Sequence, residues 1–288
     1  MKGRLQKQAV LLASSLPGCM AMPTPLAPQL QGSVGAPHYG VQTGAMELAQ
    51  KGPGYARYRQ HSPNYWGQPG LVRTIEAAAG VVFQALPDSP PLLVGDLSAQ
   101  NGGRIRGHSS HRTGRDVDLL WYVTTLRGAP SRTPGFVQIG SDGLAQVPGA
   151  GHHVMLDLQR QWLLFRALLT SPHAEVQWLF VSRDIEALLI DYALARGEAT
   201  DLVWRAEAVM HQPTDSLPHD DHVHVRIACS TTDSVHGCIG GGPHWEWLPP
   251  PLELGPLSTQ WLEGLAKDDP VGTTLWRPES LGSNGHDV

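Results

Sequence analysis

Two segments concentrate side chains that can bind a metal ion or move a proton. The first reads Gly107-His108-Ser109-Ser110-His111-Arg112-Thr113-Gly114-Arg115-Asp116-Val117-Asp118, and the second reads His219-Asp220-Asp221-His222-Val223-His224. Residues i and i+2 of a strand face the same side. Asp116 and Asp118 therefore project together, as do His222 and His224, while Val223 and Val225 point the other way into a core. If the two strands are neighbours, Asp118 and His224 converge. His111 lies just before a Thr-Gly turn and can fold back over the strand that follows. Two imidazoles and one carboxylate with a fourth position open is a set that catalytic zinc takes. Zinc brings the pKa of a bound water to about 7 and polarises a carbonyl. A nearby base then takes the water proton, and a hydrogen-bonding group supports the oxyanion. His222, beside His224, is the natural candidate for this part. His219 and His108 are further candidates for base, proton shuttle or support of a ligand. Singly these signals are weak: an H-x-H pair is often packed or solvated, and Asp116 could be a turn cap or a surface charge. Their combination is far more specific.

The elements that must position these residues are legible in outline. Residues 71–86 and 155–170 have helical periodicity, and residues 184–196 and 200–210 read as two more helices. Residues 92–97, 116–123, 176–181 and 222–228 read as strands. Residues 20–45 are rich in Pro, Gly, Ala and Gln and read as a linker or an arm over the surface, with the folded domain expected over 32–251 and a linker over 20–31. Residues 127–151 read as a Gly/Pro-rich loop, and residues 252–288 as a mobile tail. The expected class is α+β: a small antiparallel or mixed central sheet carrying the metal site, flanked by helices and long loops.

Composition narrows the function. The chain has 288 residues and a formal net charge of −5, which argues against a nucleic-acid partner. No run of 18 apolar residues occurs, so no membrane-spanning helix is expected. Residues 1–19 start basic and then turn apolar, like a secretory signal. Leu16-Pro17-Gly18-Cys19 resembles a lipoprotein lipobox, although proline at its second position is unusual; an alternative cleavage lies near Ala21. Cys229 and Cys238 can close a disulfide in an oxidising compartment, which leaves Cys19 over, as lipidation would require. An exported chain of this kind is expected in the periplasm, with Cys19 available for an outer-membrane lipid anchor.

With these residues in view, the chain resembles the penicillin-insensitive murein endopeptidases, within a wider group of zinc peptidases that includes lysostaphin-type enzymes and D-Ala-D-Ala carboxypeptidases. The likeness rests on the two segments above, on Trp66-Gly67-Gln68-Pro69, on Gly95-Asp96, on the Cys229 to Cys238 loop and on His244-Trp245-Glu246-Trp247. The resemblance implies one Zn2+ ion on His111, Asp118 and His224, with His222 and His219 catalytic. It implies peptidoglycan peptide cross-links as substrate, cut at the D-alanyl–meso-diaminopimelate bond. Members can hold a second metal through the first motif histidine, here His108, and an Asp-Gly-x-His element. Here that element reads Ala150-Gly151-His152-His153. The missing Asp speaks against a second ion, unless Asp142 or Asp157 replaces it, and His153 is carried as a ligand candidate only beside His108.

Serine acylation is not expected. Penicillin-binding peptidases use Ser-x-x-Lys, and none of the four lysines has a serine three residues before it. Gly-x-Ser-x-Gly and His-Glu-x-x-His are also absent. Arg104 and Arg106 are candidates to hold a substrate carboxylate. Trp245 and Trp247 read first as a hydrophobic clamp and second as a sugar platform, and Gly240-Gly241-Gly242 as a connector. The expected function is a zinc-dependent D-alanyl endopeptidase insensitive to penicillin. The rivals are a D,D- or L,D-carboxypeptidase on the same scaffold and a non-catalytic wall-binding lipoprotein.

Overall fold

A computed structural model describes residues 31–214, 216–240 and 242–248. The expected leader with Cys19, most of the linker, Gly241 and the tail after 252 lie outside the described residues. The chain opens with strands β1 (Gly32–Ala36) and β2 (Tyr39–Thr43). Short strands β3 (Met46–Glu47), β4 (Lys51–Gly52), β5 (Tyr55–Arg57) and β6 (Trp66–Gly67) lead to helix α1 (Pro69–Ala85). Strands β7 (Leu92–Val94), β8 (Asp116–Leu119), β9 (Val123–Thr125), β10 (Pro130–Ser131), β11 (Leu144–Gln146) and β12 (His153–Leu156) follow. Then come α2 (Leu158–Leu169), β13 (Val176–Phe180), α3 (Arg183–Ala195), α4 (Thr200–Val209), β14 (Met210–His211), β15 (Val223–Ile227) and α5 (Thr231–Val235).

Among the described residues the main sheet has seven strands in the order β14-β13-β15-β8-β7-β5-β4. It is mixed: β13 with β14 and β5 with β7 run parallel, and the other pairs run antiparallel. The α+β expectation with a mixed central sheet holds. The two motif strands are neighbours, and their register sets Asp118 opposite His224 and Asp116 opposite Arg226. Val117, Leu119, Val223 and Val225 face away from that side and are fully buried. Each apolar side chain so buried contributes about 1.5–3 kcal/mol, which fixes the register, because a one-residue slip would turn it outward.

Helix α1 packs on this layer through Leu71, Val72, Ile75, Ala78, Ala79 and Val82, one face at helical spacing. Pro69 starts it, where a missing N–H costs nothing. Helix α2 is capped by Asp157, whose carboxylate accepts from Arg160 N, and α3 by Ser182, whose hydroxyl accepts from Ile185 N. Trp245 and Trp247 stack with centroids 5.2 Å apart and pack on the core, and Trp245 Nε1 donates to Gln177 O. They form the clamp.

Three sequence expectations need correction. Residues 32–43 are not an arm but an antiparallel hairpin, paired in register from Gly32–Thr43 to Ala36–Tyr39. Its strands are built of small residues without apolar alternation, so periodicity missed them. The single strand expected over 116–123 is two strands on different sheets, broken after Leu119. The helix expected from 155 begins at Leu158, because residues 153–156 pair with β9 and β11 in a second sheet, β10-β9-β12-β11. That sheet also draws two short strands from the expected loop at 127–151.

The turn between His111 and Asp116 depends on Gly114, whose φ is +73° and whose absent Cβ would fall 1.7 Å from Gln42 Oε1. Gly114→Ala is expected to cost on the order of 1–3 kcal/mol from backbone strain and the displaced Gln42. A urea melt of the metal-free protein reads this as a lower midpoint at unchanged slope, and an unchanged midpoint would contradict it.

Candidate active site

The site is built on the shared face of β8 and β15. Asp118 is 3% exposed. Its Oδ1 lies 3.2 Å from His111 Nε2, 3.4 Å from His222 Nε2 and 3.7 Å from His224 Nδ1. Its Oδ2 lies 3.7 Å from His108 Nδ1. Four imidazoles therefore converge on one carboxylate.

Each ring is oriented by what holds its other nitrogen. His111 Nδ1 donates to the Leu97 carbonyl at 2.7 Å, which turns Nε2 to the site. His111 has φ +62°, the one positive value among described residues other than glycine. Such strain is held by surrounding contacts and concentrates at functional sites; here its N–H donates to Asp116 Oδ2 at 3.3 Å. His224 Nε2 donates to Asp116 Oδ1 at 2.8 Å, leaving Nδ1 for the site. The same oxygen accepts from Arg226 Nε at 2.6 Å. His222 Nδ1 donates to Asp221 Oδ1 at 2.5 Å. His108 Nε2 lies 3.3 Å from Asp96 Oδ2, and Asp96 also holds Arg59 and Ser62. His219 stands 5.4 Å from the His222 ring, and its Nδ1 is buried without a hydrogen bond.

The protonation states diverge. Burial alone would raise Asp118, but the charges of His111 and His222 outweigh it and hold the carboxyl well below its ordinary value. Asp116 is likewise driven down, against burial, by Arg226 and His224. Burial presses His222 down, yet Asp118 and Asp221 lift it to about 10. Burial opposes and Asp118 raises His111. Burial lowers His224 to about 4, with Asp116 only partly opposing. Burial and then the charge of His222 lower His219 to about 4.

The residues fit a divalent cation. His111 Nε2 and Asp118 Oδ1 are buried and 3.2 Å apart, yet neither makes a hydrogen bond. Buried polar atoms left unpaired in this way call for a missing partner. Ligand atoms of His108, His111 and Asp118 lie within 4.8 Å of one another. His224 offers Nδ1 to the same carboxylate oxygen, so the expected trio of His111, Asp118 and His224 is brought together with His108, His219 and His222 beside it. His153 is not brought there. It is exposed on β12, paired with Gln146 in the second sheet. Of the two acids that could have supported it, Asp157 caps α2 and Asp142 accepts from Leu144 N.

Two cavities meet at His219 and His224. One, of about 520 Å³, holds His108, His111, Asp118 and His222, with Arg59, Arg106, Phe136 and Asp220 around them. The other, of about 500 Å³, is walled by Trp178, Phe180 and His211, with His38 and Arg226. Of the two candidate arginines, Arg106 lines the first cavity and Arg104 lines neither. Sequence reading missed Arg59, Asp221 and Arg226 as site residues. Asp221 and Arg226 were visible as a charge beside each motif histidine, but their partners come from cross-strand register and loop path.

The penicillin-insensitive murein endopeptidase family model matches residues 33–240. A protein of that name from Klebsiella pneumoniae is 28% identical over 198 residues, covering 68% of this chain and 66% of the relative. The Haemophilus influenzae protein is 27% identical over 238 residues, covering 76% and 73%. The Escherichia coli K12 protein is 26% identical over 230 residues, covering 76% and 77%. The match to the Klebsiella relative thus spans just under two thirds of its length. The fold is mixed α+β, and the family that its sequence matches is a peptidase family. The chain belongs to the penicillin-insensitive murein endopeptidase family.

These protonation states predict how the metal-free protein responds to pH. His219 and His224 stay neutral down to about 4 when folded, whereas unfolded histidine takes a proton near 6.5. Between about 6.5 and 4 the unfolded chain binds more protons, so stability falls on acidification. His222 keeps its proton up to about 10 when folded, so its contribution is complete below 6.5 and is lost as pH rises from 6.5 to 10. Stability should peak near neutrality, and His222→Ala should flatten the alkaline limb. Urea melts from pH 4 to 10 test this, and an unchanged alkaline limb in that variant would sink it.

Proposed function

We propose that this chain is a Zn2+-dependent murein endopeptidase of the periplasm, cutting the D-alanyl–meso-diaminopimelate cross-link. The observation that carries this reading is a cleft open on both sides of the imidazole cluster, with cavities of about 520 and 500 Å³ meeting at His219 and His224. A cross-linked peptide continues on both sides of its scissile bond and needs both cavities, whereas a carboxypeptidase substrate ends just beyond the bond. The family relationship and the relatives' printed names support murein as the substrate.

His111 Nε2, Asp118 and His224 Nδ1 would hold the ion. When bound, it supplies Lewis acidity to an amide carbonyl and acidifies the attacking water. His222, a charged imidazole gripped by Asp221, presents Nε2–H to the cleft and donates to the developing oxyanion. His219, neutral and with a free buried Nδ1, accepts a proton from the attacking water and returns it to the amine that leaves as the C–N bond breaks. Phe136 stands edge-on to His222 at 5.4 Å and gives that ring an apolar neighbour. The serines of the cleft, Ser109, Ser110 and Ser216, have no lysine beside them among the described lining residues. This supports turnover without an acyl-enzyme, and so indifference to penicillin.

The test is a digest of purified cross-linked muropeptide dimers by the full chain, read by mass spectrometry with and without chelator and with excess penicillin. Monomers are expected only without chelator, at the same rate with penicillin. His222→Ala should keep bound zinc and lose roughly 10²–10⁴-fold in kcat, whereas His111→Ala and His224→Ala should lose zinc as well. Intact dimers with released D-alanine would make the protein a carboxypeptidase, and no product from zinc-loaded protein would leave a wall-binding role.

A further inference from the structure

Arg115 sits inside the first motif, yet the chemistry above does not use it. Its side chain is wholly buried. Nε donates to Ser33 Oγ at 3.2 Å, Nη1 to the Ile227 carbonyl at 3.1 Å and Nη2 to the Ile239 carbonyl at 2.8 Å. These acceptors lie on β1, at the end of β15 and just beyond the Cys229–Cys238 disulfide. All three are neutral. A guanidinium buried without a carboxylate on it is costly and persists only where its N–H groups are well satisfied.

What this arrangement holds is the backbone next to the metal site. The Arg115 carbonyl accepts from Ile227 N at 3.0 Å, which locks β8 to β15 at the residue before Asp116. Asp116 then orients two ligands, His224 through Nε2 and His111 through its backbone N–H. On its other side, Arg115 depends on the disulfide loop. Gly35 N donates to Gly237 O at 2.9 Å, and Ile239 N donates to Gly35 O at 3.0 Å. The bridge therefore closes a ring of contacts from the N-terminal hairpin through the loop to the guanidinium.

We infer that Arg115 is a positioning residue for the metal site, and that the Cys229–Cys238 disulfide acts on that site through it. The closed bridge keeps the Ile239 carbonyl on the guanidinium, and the guanidinium fixes the strand from which Asp116 aims the ligands. A chain with open thiols then holds its metal less tightly, so metal loading follows oxidation of the bridge. This inference rests on the metal reading above.

The experiment measures Zn2+ affinity of the full chain by competition with a chromophoric chelator, alongside the thermal midpoint of each metal-free variant. Arg115→Lys and the double variant Cys229→Ser/Cys238→Ser should each weaken Zn2+ binding by roughly tenfold or more, the scale seen when partners that orient metal ligands are lost. Arg160→Lys is the control. That arginine is also buried, is held by Asp157 and Asp88 at 2.7 and 2.8 Å, and lines neither cavity. It should lower the midpoint and leave Zn2+ affinity within about twofold, well short of the tenfold loss. Wild-type affinity in Arg115→Lys overturns the inference, as does an equal loss in Arg160→Lys. If Arg115→Lys does not fold, the double serine variant decides, and unchanged affinity there overturns it. A wild-type chain that binds no Zn2+ brings down the metal reading and this inference together, which distinguishes the two failures.

Discussion

Two carboxylates are buried two residues apart on one face of β8, and the site depends on how their charge is compensated. Burying an anion costs several kcal/mol even after relaxation, and two of like sign on adjacent positions make it worse. The cross-strand register answers for one of them. Arg226 stands opposite Asp116 and donates to it at 2.6 Å, a permanent cation inside the fold. Asp118 has no such partner. Its neighbours are four imidazoles, whose charge is conditional. The pair is thus asymmetric by construction: Asp116 is neutralised by the protein and serves as scaffold, while Asp118 is left to whatever cation the site takes up.

The same asymmetry explains why the surrounding backbone is strained and heavily tied. His111 reaches Asp118 only from a left-handed conformation, and Gly114 turns the chain back toward Asp116 with a positive φ of its own. Neither is favourable in isolation. The cost is met by contacts that converge on this stretch from distant parts of the chain. Leu97 O takes the His111 ring, Ser98 Oγ takes Gly114 N, and Arg115 reaches both the N-terminal hairpin and the disulfide loop. The site stands where the fold is most cross-linked, which is how a buried carboxylate can be held within reach of several rings at once.

This also sets what could be read from the sequence. Asp116, Asp118, His222 and His224 were legible because strand alternation is a local rule, and the valines between them name the opposite face. His111 was legible from the Thr-Gly turn that follows it. The partners were not. Arg226 opposite Asp116 requires the register, Asp221 on His222 requires the path of the loop before β15, and Asp96 on His108 requires β7 to lie beside β8. The hairpin of residues 32–43 escaped because its strands carry Gly, Ser, Ala and Tyr rather than an apolar alternation. Part of what ties it down lies about 200 residues away, at Gly237 and Ile239. His153 was carried into the site by a sequence element alone, and its strand belongs to the other sheet.

The histidines divide their work by partner rather than by ring. A carbonyl on Nδ1 of His111 and a carboxylate on Nε2 of His224 each commit one nitrogen and aim the other, which suits a ligand. Asp118, with Asp221 on Nδ1, lifts His222 against burial and favours the charged ring, whose remaining N–H can only donate. His219, like His111, keeps a buried nitrogen without a hydrogen bond, and burial, then the charge of His222 beside it, discourages protonation. A ring that can donate and a ring that can accept thus stand 5.4 Å apart, ring centre to ring centre. The pKa separation that acid–base chemistry needs arises because Asp118 and Asp221 outweigh burial at His222 but not at His219.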